Sequence, residues 1–189
     1  VEIVSTDNAF TALKNDGSIV TWGTTTSGAD SSSVATQITN NVKKVFATRN
    51  AFAALKEDGS VITWGKNGYG NDTSKVSNKI NSGVSHIYSN STAFAALKND
   101  GSVVTWGGQG PNYGYFPIDF GGNSRSVADH LKSDVSVIIP SDLGFAALKK
   151  NGSVVYWGDY SNKNINQEIK DDLTSGVVGF ANPLTDDWL

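Results

Sequence analysis

The sequence contains no cysteine and no methionine, and only four prolines and two histidines. Without cysteine there is no disulfide, no thiolate nucleophile and no Cys-based zinc site. The redox compartment is not fixed by this; an exported form would have to draw stability from repetition instead of cross-links. Without methionine, Val1 is not a translation start, so the chain is expected to be a processed product or a piece of something longer. A basic excess is also lacking: 15 Lys and Arg face 18 Asp and Glu, for a net charge of -3. That argues against a nucleic-acid binder. Lys and Arg are scattered singly, which excludes a polybasic membrane patch. No apolar run approaches the roughly 18 residues of a spanning helix, so no membrane insertion is expected.

What is present is repetition. The stretch AFAALKEDGSVITWG, Ala51 to Gly65, recurs as AFTALKNDGSIVTWG (Ala9 to Gly23), AFAALKNDGSVVTWG (Ala93 to Gly107) and GFAALKKNGSVVYWG (Gly144 to Gly158). Trp22, Trp64, Trp106 and Trp157 are 42, 42 and 51 residues apart, and Gly17, Gly59, Gly101 and Gly152 keep the same spacings. The third repeat therefore carries nine extra residues. The units run 1–41, 42–83, 84–134 and 135–176, within a single repeat domain. A fifth begins at 177 and departs from the pattern, with Asp186 and Asp187 where Ala-Phe is expected. That tail reads either as a capping segment, since terminal repeats are commonly atypical, or as a cut end.

Each unit reads as three strands and a short helical turn. Ile3, Val45, Ile87, Ile138 and Phe180 mark the first strand. The second, Ala51 to Leu55, places Phe52 and Ala54 on one face and Ala51, Ala53 and Leu55 on the other. Both faces are apolar, which predicts burial on both sides; its alanines suggest crowding, as near the narrow axis of a radial array. Asp16-Gly17, Asp58-Gly59, Asp100-Gly101 and Asn151-Gly152 are hairpin-turn signals, in which Gly supplies positive φ and Asp or Asn tolerates it. The third strand ends in Trp-Gly. Apolar pairs four apart then follow: Val34/Ile38, Val76/Ile80, Val127/Leu131 and Ile169/Leu173. With polar capping types before the first three, they predict helical turns that end at Asn41, Gly83, Asp134 and Gly176. The expected fold is all-β: a partial or open β-propeller of four blades of about 42 residues, with one extra C-terminal strand and short helical turns between blades.

The pattern A-x-A-L-K-x-D-G-S-V-x-x-W-G-x-N-x-x-G, as it stands in Ala51 to Gly70, resembles the regulator-of-chromosome-condensation repeat, whose family forms propellers. The Ser-Gly-Val boundaries, Ser82-Gly83-Val84 and Ser175-Gly176-Val177, look like the bacterial short-repeat subgroup. That subgroup includes a secreted inhibitor of β-lactamases, and near-identical arrays occur in very large secreted or surface proteins of bacteria. The resemblance spans residues 1 to about 181. A seven-bladed ring at this period needs roughly 290 residues. Four blades leave two open ends, with three outcomes: part of a longer chain, assembly with another copy through open blade edges, or capping by the tails. The family's nucleotide-exchange activity is not implied, since no motif for it is present.

Most recurrent residues have structural explanations. The four tryptophans are read as wedges between blades, and a ligand-stacking ladder is the rival reading. The recurrent aspartates belong to turns. Gly28-Ala29-Asp30 and Gly70-Asn71-Asp72 bear a faint likeness to calcium loops but supply few of the six to eight oxygens needed, so no cofactor is expected. His86 and His130 stand alone, with no partner for metal binding or nucleophilic catalysis. The one stretch outside the repeat is GGQGPNYGYFPIDFGG, residues 107–122, which sets Tyr113, Tyr115, Phe116 and Phe120 among glycines and prolines. Exposed loop aromatics anchor partners well, while the bland alternative is a loop that covers its own aromatics.

These observations favour a non-enzymatic interaction or structural module of a large exported or cell-surface bacterial protein, with a role in adhesion or assembly and a protein, cell-surface component or second copy as partner. A propeller-type enzyme inhibitor is the alternative. A glycan-binding or glycan-cleaving module is remote, because paired acids are missing outside the turns.

Overall fold

In the computed structural model, which describes residues 1–108, 120–158 and 171–179, each of the four repeats forms one three-stranded antiparallel sheet in strand order 1-2-3. Blade 1 comprises β1 (Glu2–Ser5), β2 (Ala9–Leu13) and β3 (Ile19–Gly23). Blade 2 comprises β4 (Val42–Ala47), β5 (Ala51–Lys56) and β6 (Val61–Gly65). Blade 3 comprises β7 (Val84–Ser89), β8 (Ala93–Lys98) and β9 (Val103–Gly107), and blade 4 β10 (Val135–Ser141), β11 (Gly144–Lys149) and β12 (Val154–Gly158). The result is an open, all-β array of four blades.

The middle strand carries the packing. Every residue of Ala51 to Leu55 is buried, and the two faces enter different cores. Phe52 and Ala54 join Val45 and Trp64 against Ala9, Val34 and Ile38 of blade 1. Ala51, Ala53 and Leu55 face the other way, against Ile87, Phe94, Ala96 and Trp106 of blade 3. The alternation expected from period 2 is thus the division between two inter-blade cores. The alanines, however, do not mark the axis. They lie mid-sheet, and the first strand of each following blade, β4, β7 and β10, approaches both the first and the middle strand of the blade before it. Small side chains are required there because the sheets of blades 1 to 3 each receive a Phe-Trp pair from the next blade.

The hairpin turns differ from the simplest reading of Asp-Gly. In blade 1 Lys14 N–H donates to Ser18 O and Gly17 N–H to Lys14 O, so the loop holds three residues and ends on Gly17 at φ 74°. This is a type I turn closed by a left-handed glycine. Among the described residues, only Asn41 and Asp134 combine a side chain with positive φ, so Asp16 does not share Gly17's conformation. Its carboxylate instead accepts the Ser18 N–H and hydroxyl at 3.0 and 2.6 Å. The same pair of bonds joins Asp58 to Ser60, Asp100 to Ser102 and Asn151 to Ser153.

These turns also join the repeats. Gly17, Gly59, Gly101 and Gly152 accept the N–H of Val42, Val84, Val135 and Val177, each at 3.0 Å. A Cβ on Gly59 would lie 2.8 Å from the Gly83 nitrogen, so the approach itself selects glycine. The boundary residues Asn41, Gly83, Asp134 and Gly176 have φ of 58, 72, 65 and 81°, the left-handed stops expected of them.

The connections after Trp-Gly in the first three repeats are tighter than α-helix. Thr25–Ser27, Ser32–Gln37 and Arg125–Leu131 are 3-10 helices, the second repeat makes only turns, and in the fourth Asp171 and Asp172 are α-helical. None of the three 3-10 helices has a side-chain cap from its N-cap residue. The polar residues before them act through Asx turns instead: Asp30, Asp72 and Asn123 accept the N–H of Ser32, Ser74 and Arg125. Val34, Ile38, Ile80 and Leu131 are buried as the spacing requires. Of the expected fifth-repeat strand, residues 177–179 carry no strand, and 180–189 lie outside the described residues.

Candidate functional site

The recurrent Phe and Trp of each blade are cross-strand partners: Phe10 with Trp22, Phe52 with Trp64, Phe94 with Trp106 and Phe145 with Trp157. Their rings stack with centroids 5.4–5.5 Å apart. In blades 2 to 4 this pair is driven into the preceding blade. The indole N–H of Trp64 donates to Gly28 O at 3.0 Å, that of Trp106 to Gly70 O at 2.9 Å, and that of Trp157 to Gly121 O at 2.9 Å. All three indoles are buried, so these bonds satisfy donors that water cannot reach. The structure accounts for the tryptophans as inter-blade wedges.

Two further links repeat at each junction. Lys56, Lys98 and Lys149 donate through Nζ to the carbonyls of Gln37, Lys79 and His130 in the preceding repeat, at 2.8–2.9 Å. The backbone N–H groups of Glu57, Asn99 and Lys150 donate to the boundary carbonyls of Asn41, Gly83 and Asp134.

Blade 1 presents the same face with none of the described residues packed upon it as in the later junctions. Ile3, Phe10, Val20 and Trp22 are 62, 43, 51 and 43 % exposed, whereas Trp64, Trp106 and Trp157 are 2–4 % exposed. Trp22 Nε1 donates to no acceptor among the described residues. Lys14 turns to its own Asp16 at 3.2 Å instead of to a neighbouring repeat. A contiguous apolar patch with an indole donor is the kind of surface that marks a contact site.

The insertion gives a different result. Tyr113, Tyr115 and Phe116 lie outside the described residues. Phe120 is buried, 6 % exposed, and its carbonyl accepts Asn90 Nδ2 at 2.6 Å. It is a packed residue and not an exposed anchor, because it enters the loop position just before Gly121, the acceptor of Trp157.

One recurrent group escaped the sequence reading. Thr6 and Thr48 are buried; each hydroxyl donates to the loop after Trp-Gly, Thr6 to Ser27 O and Thr48 to Tyr69 O, both at 2.9 Å. Each also accepts the N–H that opens the middle strand, from Ala9 and Ala51. Asn90 performs both tasks in blade 3. The signal was the 42-residue spacing of Thr6, Thr48 and Asn90, weakened by the change of residue type.

The electrostatics belong to turns and packing. Ser18's hydroxyl and N–H, aided by Lys14, pull the Asp16 carboxyl down to about 2, and Asp58 and Asp100 shift down through Ser60 and Ser102. His86 packs against Phe46 and Tyr88, and burial with the nearby Lys44 and Lys43 lowers its pKa. Among the described residues no three His, Asp or Glu side chains gather as metal ligands, and no helix is long and apolar enough to cross a membrane.

The family model for the regulator of chromosome condensation (RCC1) repeat matches residues 42–71, which is β4 through the loop to Gly70 and Asn71. The blades are RCC1-like β-propeller repeats. Solved structures agree on the fold. The CRINKLY WD40 ectodomain of the Arabidopsis thaliana receptor kinase ACR4 shares 15% identity at TM-score 0.52, over 84% of this chain and 52% of that one. The ectodomain of the Physcomitrella patens receptor kinase CR4 shares 14% at 0.52, over 87% and 42%. Yeast RCC1 (Prp20), solved with Kap60 bound, shares 18% at 0.53, over 88% and 45%. The RCC1-like array thus spans about half the length of the structures it matches. No curated protein matches the chain.

Proposed function

We propose that this RCC1-like array is a non-catalytic protein-interaction and structural module of a larger bacterial protein, exported or displayed at the cell surface, where it serves adhesion or assembly. The observation that carries the reading is the open face of blade 1. Four apolar side chains and an indole N–H with no acceptor among the described residues stand exposed there, while the same positions in blades 2 to 4 are buried except for the half-buried Ile62. Apolar area of this kind stabilises an association by roughly 25 cal/mol for each Å² removed from water, before the costs of binding. Protein-binding propellers share the fold; yeast RCC1 is one, with Kap60 as its partner in the solved complex.

The test is binding of the fluorescently labelled chain to intact bacteria, read by flow cytometry against a Phe10→Ser/Trp22→Ser double variant. Saturable binding that the double variant weakens at least tenfold is expected. Absence of saturable binding to any envelope, in a chain that also sediments as a monomer at every concentration, would overturn the reading.

A further inference from the structure

Two Asn-Gly pairs stand in different settings: Asn67-Gly68 in the loop after Trp64-Gly65, and Asn151-Gly152 in the hairpin of blade 4. They are closely matched. Each follows a lysine, each asparagine is exposed, each glycine is half-buried, and the glycine φ values are 84 and 80°. Hydrogen bonding separates them. Asn151 Oδ1 accepts the N–H and hydroxyl of Ser153 at 3.0 and 2.7 Å, and the Gly152 N–H donates to Lys149 O at 2.9 Å. Both groups of that pair are therefore held. At Asn67 neither is: its side chain and the Gly68 N–H have no hydrogen-bond partner among the described residues. The turn there closes through Tyr69 N–H to Lys66 O at 3.2 Å, with positive φ at Gly68 and not at Asn67. That is a type II turn, whose single bond leaves the central amides free.

We propose that Asn67 is a modification site: it deamidates spontaneously through Gly68, and its isoaspartyl product loosens the junction between blades 2 and 3. The Gly68 nitrogen gives its proton to water or hydroxide and attacks Cγ of Asn67. The N–Cγ bond forms, the Cγ–Nδ2 bond breaks, and Nδ2 takes up a proton and leaves as ammonia. Water then opens the cyclic imide. Addition at Cγ breaks the N–Cγ bond and gives aspartate. Addition at the main-chain carbonyl breaks the original peptide bond and gives isoaspartate, with Cβ now part of the backbone. Water is the only co-reactant, and nothing is oxidised or reduced.

The loop has no room for that extra methylene. Before Asn67, the Lys66 N–H donates to Asn50 O at 2.8 Å. After it, Tyr69 O accepts Thr48 Oγ1 at 2.9 Å, and Gly70 O accepts the buried Trp106 indole at 2.9 Å. Gly70 cannot shift toward blade 3, since even a Cβ there would fall 2.5 Å from the Phe94 ring. The lengthened backbone must therefore move Gly70 away, and the Trp106 bond is the contact that opens.

The experiment incubates the purified chain at mildly alkaline pH and maps its peptides by mass spectrometry, with isoaspartate read by enzymatic methylation. Asn67 should convert roughly tenfold or more faster than Asn151, whose bonds must open first, and its rate should rise with pH. In urea the two Lys-Asn-Gly segments should react at similar rates. Equal rates in the folded chain, faster conversion at Asn151, or a gap that persists in urea would each overturn the proposal. The isoaspartyl form, separated by ion exchange, is then compared with the fresh chain by NMR. Its Trp106 indole N–H should exchange roughly tenfold faster or more, while Trp64 and Trp157 keep their protection. Asn67→Asp carries the new charge on an ordinary backbone and should leave Trp106 protected, as should Asn67→Gln after the same incubation. Both replace an exposed side chain without a partner, so both should fold. Unchanged Trp106 exchange in the isoaspartyl form, or an equal loss of protection in either variant, would also overturn it.

Discussion

The indole N–H of Trp106 lies 2.9 Å from the carbonyl oxygen of Gly70, a residue of the preceding blade 36 positions earlier in the chain. The same separation recurs for Trp64 with Gly28 and Trp157 with Gly121, so one bond defines each junction of the array. Replacing Trp106 by Phe removes the donor, leaves the Gly70 carbonyl buried without its partner and shortens the wedge. The loss should be about 2–4 kcal/mol of unfolding free energy, combining an unpaired polar group with lost packing. Trp22→Phe should change stability by less than about 0.5 kcal/mol, because Trp22 makes no such bond among the described residues. Urea unfolding of the two variants checks the contrast.

Gly59 and Gly176 have nearly the same backbone, with φ of 78 and 81°. A Cβ on Gly59 would meet the Gly83 nitrogen at 2.8 Å, whereas one on Gly176 would meet nothing within 4 Å. Alanine at 176 should therefore cost only the left-handed penalty, about 1–2 kcal/mol. Alanine at 59 should cost clearly more, because the turn must also separate from the boundary that it bonds. Thermal unfolding of Gly59→Ala and Gly176→Ala should show the larger drop in midpoint for the former.

Thr11 and Thr48 are both buried hydroxyls with opposite expected effects. Thr11 Oγ1 has no hydrogen-bond partner among the described residues, and Ala53 and Ala95 hold the same place in the next two blades. Thr11→Val keeps the shape and removes an unpaired polar group, which should stabilise by about 1 kcal/mol. Thr48 Oγ1 joins Ala51 N–H and Tyr69 O, so Thr48→Val should destabilise by about 1–3 kcal/mol. Denaturant midpoints distinguish the two signs.

The hairpin aspartates set an acid limb. Asp16, held by the Ser18 hydroxyl first, then the Ser18 N–H and Lys14, titrates near 2 when folded against an ordinary 3.8. Asp58 and Asp100 move the same way through Ser60 and Ser102. A depressed folded pKa means that the unfolded chain binds the proton more readily. The contribution to stability is therefore complete above 3.8 and is lost as pH falls through the folded value near 2. Asn151 makes the same turn without titrating. The triple variant Asp16→Asn/Asp58→Asn/Asp100→Asn should unfold with a flatter dependence of Tm on pH between about 4 and 2.

Much of this fold was legible along the chain because its information is local and repeated four times. Alternation in Ala51 to Leu55 announced a strand buried on both faces, and Asp-Gly announced the turns. Asn41, Gly83, Asp134 and Gly176 stood where left-handed stops were needed. The turn subtype was less legible, since a two-residue and a three-residue loop share the same Asp-Gly pair and differ only in whether Ser18 bonds back to Lys14. Phe120 was left between an exposed anchor and a self-covered aromatic for a related reason. A glycine-rich insertion looks exposed in sequence, yet its last residues must rejoin the loop that receives Trp157. The bridges of Thr6 and Thr48 were hidden because a lone hydroxyl in a polar segment carries no sign of burial.

By itself the sequence determined the number of blades, their strands and turns, and the presence of a Phe-Trp pair in each. Those follow from periodicity, from φ requirements and from apolar spacing, all of which act within one repeat. Only the tertiary structure decided that the four pairs are not equivalent. The pairs of blades 2 to 4 are covered by the blade before them, through a glycine carbonyl and a close glycine Cα, and among the described residues blade 1 has no such cover. Identical local sequence thus yields three buried junctions and one open face, because burial is a property of what lies opposite a residue and not of the residue itself.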